Sequence, residues 1–128
     1  MMFEEEVIES IKNHFISQFP KQCNCCGKTY MSAEEFIRST AYVGEPVSYD
    51  VEMDRKQPSS PIGTIGLVNC SCGSTLAISS KGIGLKTMWK LLEWGRVETK
   101  KRGISVSELL GYLRHKIDQS IVSEAPEK

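Results

Sequence analysis

The chain has no excess of charge of either sign, because 16 lysines and arginines balance 16 aspartates and glutamates. A protein dedicated to non-specific nucleic-acid binding usually carries a basic excess, so the balance argues against that class. No run of residues approaches the roughly 20 apolar side chains of a membrane span, and we expect no membrane partner. The chain has 128 residues, which suffice for one domain with a modest core.

The sequence also lacks the motifs of common enzyme classes. No nucleophile–base pairing, phosphate-binding loop or pair of catalytic carboxylates is visible in it. The two histidines, His14 and His115, fall in predicted helices far along the chain from other candidate ligands. The first residues are acidic and lack the basic and apolar regions of a signal peptide. We therefore predict a cytoplasmic protein that is not an enzyme.

Cysteines are what the sequence does have, and they fall into two tight clusters. The first cluster comprises Cys23, Cys25 and Cys26, and the second comprises Cys70 and Cys72. Each cluster is followed by a glycine, which allows a tight turn whose backbone N–H groups point at the sulfurs. In a cytosolic protein such clusters bind metal more often than they form disulfides. Two such turns placed face to face predict a site with four sulfur ligands for zinc.

The fourth ligand of this predicted site is either Cys25 or Cys26. Cys25 reproduces the one-residue spacing of the second cluster, whereas Cys26 shares with Cys72 the glycine that follows it. We favour Cys26, because the Cys-Gly step shapes the turn. The predicted ligands are therefore Cys23, Cys26, Cys70 and Cys72, with Cys25 as a spare thiol. One structural zinc ion is favoured over an iron–sulfur cluster, since the spacing matches neither common ferredoxin pattern.

The two cysteine turns resemble the zinc knuckles of zinc-ribbon domains, over roughly residues 20–80. The string Asn-Cys-Ser-Cys-Gly-Ser-Thr-Leu at 69–76 is similar to one in small bacterial regulatory proteins. The resemblance implies knuckles carried on β-turns and a structural zinc ion. The long separation between the clusters and the single residue between Cys70 and Cys72 depart from the compact ribbon, and they leave room for an inserted helix and hairpin.

The apolar periodicity predicts an α+β fold in a single domain, with a zinc-ribbon-like antiparallel β unit flanked by helices. We expect an N-terminal helix at 2–19, the zinc-binding β module at 20–80, a C-terminal helical pair at 82–121 and a frayed tail at 122–128. Pro20 ends the first helical pattern.

Within these segments, two capping boxes and three strand patterns set the finer predictions. Ser32 with Glu35 predicts a helix over 33–39, and Ser105 with Glu108 predicts the start of the last helix. Strands are expected at 47–53, 62–69 and 75–79, with a loop over 54–61, and a helix is expected from about 83 to 101. We expect Trp89 in the core and Trp94 partly exposed.

Basic residues gather in the first helix of the C-terminal pair. They are Lys86, Lys90, Arg96, Lys100, Lys101 and Arg102. Positive charge at a helix end complements the helix dipole, which is the favoured interpretation, whereas a phosphate-contacting edge is the alternative. The next helix mixes Glu108 and Asp118 with its basic residues, unlike a basic recognition helix.

The expected function is that of a structural-zinc-binding regulatory or adaptor protein that acts through protein–protein contacts or self-association. Two alternatives remain open. One is a nucleic-acid-binding transcription accessory protein, and the other is a thiol redox sensor that uses Cys25.

Overall fold

The structure, a computed structural model, describes residues 2–124 and confirms the α+β class. Five helices are found in this part of the chain: α1 Glu4–Ile16, α2 Ala33–Ser39, α3 Tyr49–Glu52, α4 Leu85–Arg102 and α5 Val106–Glu124. Six strands accompany them: β1 Lys21–Gln22, β2 Thr29–Tyr30, β3 Ala41–Tyr42, β4 Val47–Ser48, β5 Thr64–Asn69 and β6 Thr75–Ser79. None of the helices in residues 2–124 combines the length and the apolar character needed to cross a membrane.

Strand β5 is the centre of the larger, four-stranded sheet. Strand β6 pairs with it antiparallel along all but its first residue, from Ile65 opposite Ser79 to Asn69 opposite Thr75. The two short strands β3 and β4 share the other side of β5, at opposite ends of it. Strands β1 and β2 form a separate antiparallel hairpin. The cysteine clusters lie in the turns of the two hairpins, β1–β2 and β5–β6.

The core lies between the inward face of this sheet and the long helices. One group of buried side chains joins α1, α2 and α5 to both hairpins and includes Phe15, Phe36, Tyr30 and Val68. Its aromatic rings meet edge to face, with centroids 5.1 Å apart for Tyr30 and Phe36. A second group packs Trp94 of α4 against α1 and α5. The sequence pattern of α1 therefore marks a core-facing helix, as its period of three to four residues predicts.

Both predicted serine N-caps are present, but of these two helices only α5 has the reciprocal capping box; at α2 the Glu35 carboxylate accepts instead from the N–H of Met31 at 3.1 Å. The hydroxyl of Ser32 accepts a hydrogen bond from the N–H of Glu35 at 3.2 Å. The hydroxyl of Ser105 accepts from the N–H of Glu108 at 3.1 Å, and the Glu108 carboxylate accepts from the N–H of Ser105. Helix α4 ends at Arg102 and is capped by Gly103, whose left-handed φ of 65° would strain any residue with a side chain.

The strand predicted at 47–53 is wrong beyond its first two residues. Strand β4 ends at Ser48, and residues 49–52 form the short helix α3. The alternation predicted that the apolar side chains of this segment face the core, but the structure buries a polar one instead. Met53 is 61% exposed, whereas the Asp50 side chain is fully buried at 0%. That carboxylate accepts hydrogen bonds from the N–H groups of Ile62 and Gly63, at 3.0 and 2.8 Å, and pairs with Arg55. The polar stretch after α3 is thus held in place by a buried acid.

The expected roles of the two tryptophans are reversed in the structure. Trp94 is the buried one, at 8% exposure, and lies in the core group of α1 and α5. Trp89 is half-buried, and its indole N–H donates to the backbone carbonyl of Pro58 at 2.9 Å. The five-residue spacing placed the two rings on different faces of α4, but the loop before β5 could not be foreseen as the partner of Trp89.

The remaining boundaries differ modestly from the predictions. Helix α1 is shorter than 2–19 because it ends at Ile16, and β5 begins at Thr64 rather than at residue 62. The tail expected at 122–128 is helical as far as Glu124, and residues 125–128 lie outside the described part of the chain.

We expect Asp50→Ala to destabilise the fold strongly. The substitution leaves two backbone N–H groups and the Arg55 guanidinium without their buried acceptor, and breaking a buried ion pair costs about 3 kcal/mol or more. Urea unfolding followed by circular dichroism measures the effect. The control is Glu52→Ala, which removes an exposed acid two residues away. Equal stability of the two variants would contradict the role assigned to Asp50.

We expect the half-buried Asp118 to make the protein less stable as the pH rises. Burial raises the pKa of its carboxyl from 3.8 to about 7, and the hydroxyl of Tyr42 donates to it. The folded state therefore holds a proton that the unfolded state releases, so this contribution to stability falls from about pH 4 to pH 7. Asp118→Asn keeps an acceptor for Tyr42, and the difference in urea midpoint between variant and wild type should grow over that pH range. A constant difference would contradict the raised pKa.

Candidate metal centre

The first cysteine turn is a closed loop between β1 and β2. The N–H of Cys23 donates to the carbonyl of Lys28 at 2.9 Å, and the N–H of Gly27 donates back to the carbonyl of Cys23 at 2.9 Å. Gly27 has a φ of 77°, in the region that glycine adopts without strain. The glycine after Cys26 therefore closes the loop, as the Cys-Gly step predicts.

The second cysteine turn repeats this design between β5 and β6. The N–H of Cys70 donates to the carbonyl of Ser74, and the N–H of Gly73 donates to the carbonyl of Cys70, both at 2.9 Å. Gly73 has a φ of 92°. The second loop is one residue shorter than the first, yet it is closed by the same pair of hydrogen bonds and the same type of glycine.

The two loops bring four sulfurs together. The thiols of Cys23, Cys26, Cys70 and Cys72 lie within 4.8 Å of one another. The Cys23 and Cys72 sulfurs are 3.7 Å apart, and those of Cys26 and Cys70 are 3.8 Å apart. A zinc–sulfur bond of about 2.3 Å gives a tetrahedron with sulfur–sulfur edges of about 3.8 Å. The spacing is far longer than the roughly 2.05 Å of a disulfide, so the arrangement is that of a group able to hold a metal ion.

Cys25 stands outside this group. Its side chain is exposed, and the four mutually close sulfurs include that of Cys26 instead. Cys23 and Cys70 are buried, whereas Cys26 and Cys72 are exposed, so the group lies at the edge of the core with one side toward solvent. Neither His14 nor His115 belongs to it among the described residues: His14 contacts the carbonyl of Ser79 at 3.2 Å, and His115 is exposed.

Backbone N–H groups point at the sulfurs, as the glycine-closed turns require. The Cys23 sulfur accepts from the N–H groups of Cys25 and Cys26, and that of Cys26 accepts from the N–H of Lys28. The Cys70 sulfur accepts from the N–H of Cys72. Such donors stabilise negative charge on sulfur and are the second set of contacts that metal-binding thiolates use.

Two hydroxyl groups complete the surroundings of the sulfurs. The Tyr30 hydroxyl, on a fully buried side chain, lies 2.9 Å from the Cys70 sulfur. The Ser74 hydroxyl lies between two sulfurs, 3.1 Å from that of Cys23 and 3.0 Å from that of Cys72. Sequence reasoning missed both residues. The position of Ser74 inside the second turn could have indicated its role, whereas Tyr30 comes close to Cys70 only through the packing of β2 against the core.

The cysteine pKa values move in opposite directions within the group. The Cys72 N–H and the Tyr30 hydroxyl lower the pKa of Cys70 to about 6. The Lys28 N–H acts to lower the pKa of Cys26, but burial and the hydrogen bonds to the other three thiols together raise it to about 11. Like charges so close together disfavour each other, so four thiolates need a cation among them. A dication held by the four sulfurs would supply that charge.

The basic residues of α4 are partly engaged within the protein. The Arg102 guanidinium pairs with Glu4 at 2.7 Å and with Glu98 at 2.9 Å. Arg96 donates to the backbone carbonyl of Arg55 at 3.4 Å. Two of the six basic residues thus hold α1 and the loop after α3 against α4. For these two, the positive charge serves the fold.

Fold and site together define the class: an α+β protein whose two hairpin turns assemble a four-cysteine group able to hold a metal ion. Comparison with protein-family models, with curated proteins and with solved structures found no match to this chain.

We expect metal binding to depend on Cys26 but not on Cys25. Cys26→Ser should remove stoichiometric metal from the purified protein because it deletes one of the four clustered sulfurs, as should Cys70→Ser and Cys72→Ser. Cys25→Ser should retain it, which makes that variant the matched control one residue away. Elemental analysis of metal per chain is the measurement. Retention in Cys26→Ser together with loss in Cys25→Ser would reverse the assignment.

Proposed function

We propose that the protein binds one zinc ion through Cys23, Cys26, Cys70 and Cys72, and that this ion is structural. The observation that carries the proposal is the sulfur spacing of 3.7 and 3.8 Å, which equals the edge of a tetrahedral zinc–thiolate site of about 3.8 Å. Four sulfurs fill a tetrahedron and leave no open position, unlike the catalytic zinc sites, which keep one for water or substrate.

The same spacing favours a single ion over an iron–sulfur cluster. All four sulfurs lie within 4.8 Å of one another, which suits ligands that share one central ion. In a cluster of four irons each cysteine binds a different iron atom, which requires wider separation of the sulfurs. Soft thiolates at tetrahedral positions suit zinc among the common metals of the cell.

A structural ion here would join segments that are far apart in the chain. Cys26 and Cys70 are 44 residues apart, and each sits in a different hairpin of a different sheet. Each strand of the first hairpin contains only two residues, and so short a hairpin is not stable by itself. Binding of metal by such a site contributes folding energy, of the order of 10 kcal/mol in small zinc peptides.

The zinc proposal is tested by metal identity and by removal of the metal. Native mass spectrometry and elemental analysis should find one zinc per chain. A strong chelator should lower the melting temperature and broaden the amide resonances of residues 20–30 and 70–75 in NMR spectra before those of α4. One iron per chain, or a melting temperature unaffected by complete removal of zinc, would contradict a structural zinc site.

We further propose that the protein is a cytoplasmic regulatory or adaptor protein that acts through protein–protein contacts. Support comes from a surface that we call the outer sheet patch, formed by Val43, Leu67 and Ala77. Val43 and Leu67 are 41% and 39% exposed and adjacent, since the Val43 N–H donates to the Leu67 carbonyl. Ala77 pairs directly with Leu67 and is also exposed. Exposed apolar groups next to each other on a sheet suit a protein contact better than a phosphate contact.

The adaptor proposal predicts a partner or self-association that persists at raised salt. Leu67→Asp on the outer sheet patch should abolish it, because the charge must be desolvated in an apolar contact. The double variant Lys100→Ala, Lys101→Ala should leave it unchanged; Arg102 is kept because it pairs with Glu4. Affinity capture and analytical ultracentrifugation over a salt series measure both variants.

A nucleic-acid-binding protein would give the opposite pattern. Its binding would weaken steeply as salt increases, because each phosphate contact releases a counterion. Selection from random-sequence DNA and RNA should therefore find no motif. A motif that is enriched by the wild type and lost in the Lys100, Lys101 double variant would replace the adaptor proposal with that alternative.

A further inference from the structure

A cavity of about 180 Å³ lies between the sheet and the long helices. Its wall includes Val7 and Ile11 of α1, Val68 of β5, Leu92 of α4, and Leu113 and Ile117 of α5. None of the five cysteines contributes to it. An engineered apolar cavity of about 150 Å³ in another protein is large enough to bind benzene, so this one has room for a small ring compound.

One polar group in the wall is buried without a partner. Ser48 is 2% exposed, and within the part of the chain that the structure describes its hydroxyl oxygen makes no hydrogen bond. Ser48 immediately precedes α3, but its side chain does not cap that helix. Buried hydroxyls nearly always form a hydrogen bond, and an unpaired one destabilises the fold. A ligand that hydrogen-bonds to the Ser48 hydroxyl would remove this cost.

Neighbouring polar groups of the wall are already paired within the protein. The Ser80 hydroxyl accepts from the N–H of Thr64 at 2.9 Å. The Ser79 carbonyl is approached by the imidazole of His14, and the Asp118 carboxylate accepts from the Tyr42 hydroxyl. Internal hydrogen bonds thus account for these groups and leave the Ser48 hydroxyl available to something inside the cavity.

We propose that this cavity is a binding site for a small, uncharged, mostly apolar molecule with one hydrogen-bonding group, which pairs with the Ser48 hydroxyl. The volume limits the ligand to about the size of a single substituted ring. Apart from Arg114 and Asp118 the wall has no charged side chain, so a charged group held deep in the cavity would lose its hydration without a partner, and the ligand is uncharged. One unpaired hydroxyl requires one polar substituent, so phenol is the simplest molecule that fits all three conditions.

A polar rim indicates where the cavity meets solvent. Tyr42 is exposed, while Arg114 and Asp118 are half-buried, and all three belong to the wall. The Arg114 guanidinium stacks on the Tyr42 ring, 3.7 Å from its centroid, and donates to the carbonyl of Gly44. These side chains connect β3 with α5 on the side by which a ligand would enter.

The test compares phenol with benzene on three variants. Ser48→Ala removes the hydroxyl. Gly66→Val fills space in the wall, where a β-carbon would lie 3.8 Å from Pro46 and so has room. Ala41→Val is the control, because it adds two methyl groups to the exposed face of the adjacent strand β3, outside both the cavity wall and the outer sheet patch. Isothermal titration calorimetry gives affinity, and amide chemical shifts in NMR spectra locate the binding.

We expect wild type and Ala41→Val to bind both compounds, with shift changes centred on residues 46–48, 64–68 and 113–118. Gly66→Val should bind neither, while its melting temperature without ligand equals or exceeds that of wild type. Ser48→Ala should still bind benzene, and its affinity for phenol relative to benzene should fall roughly fivefold, the effect of one net hydrogen bond.

Three results would overturn the proposal. They are failure of the wild type to bind either compound at millimolar concentration, binding by Gly66→Val as tight as by wild type, and an unchanged phenol-to-benzene ratio in Ser48→Ala. The measurement does not depend on the zinc proposal, since the wall contains no cysteine and metal content is determined on the same samples.

Discussion

Four thiols gathered within 4.8 Å form the constraint on which much of this structure depends, because they cannot all ionise without a positive charge among them. The surrounding N–H and hydroxyl donors favour charge on individual sulfurs: the Tyr30 hydroxyl contacts that of Cys70, and the Ser74 hydroxyl contacts those of Cys23 and Cys72. Cys23 and Cys70 are also members of the apolar core. Order in the first hairpin, in the end of β5 and in the core beneath α2 is therefore coupled to the state of one small group of sulfurs.

Much of the architecture could be predicted from the sequence where a local rule determined it. The serine caps placed the starts of α2 and α5, because the hydroxyl of an N-cap serine accepts a hydrogen bond from the otherwise free backbone N–H three residues later. The glycines after Cys26 and Cys72 predicted the shape of the turns for the same kind of reason. The clustering of the cysteines and the glycine after Cys26 selected the same four thiols that the structure brings together.

Prediction failed where a residue's partner came from a distant part of the chain. Asp50 looked like the solvent-facing member of an alternating strand, yet it is buried because the N–H groups of Ile62 and Gly63 are presented to it. Trp94 is buried, and Trp89 is held by the Pro58 carbonyl, through contacts that the periodicity of α4 does not specify. The cavity likewise escaped notice, since an unfilled volume is a property of several elements packed together rather than of any segment.

Strand β5 gives the molecule an unusual dependence on chain length. Because side chains alternate between the two faces of a strand, Gly66 and Val68 face the cavity and Leu67 faces outward. Cys70 continues the inward series one step beyond the strand. An insertion or deletion of one residue between 64 and 69 would turn the cavity wall outward and at the same time displace the sulfur of Cys70. A substitution in β5 therefore changes one position, whereas a change in the length of the strand would disturb the cavity and the cysteine group together.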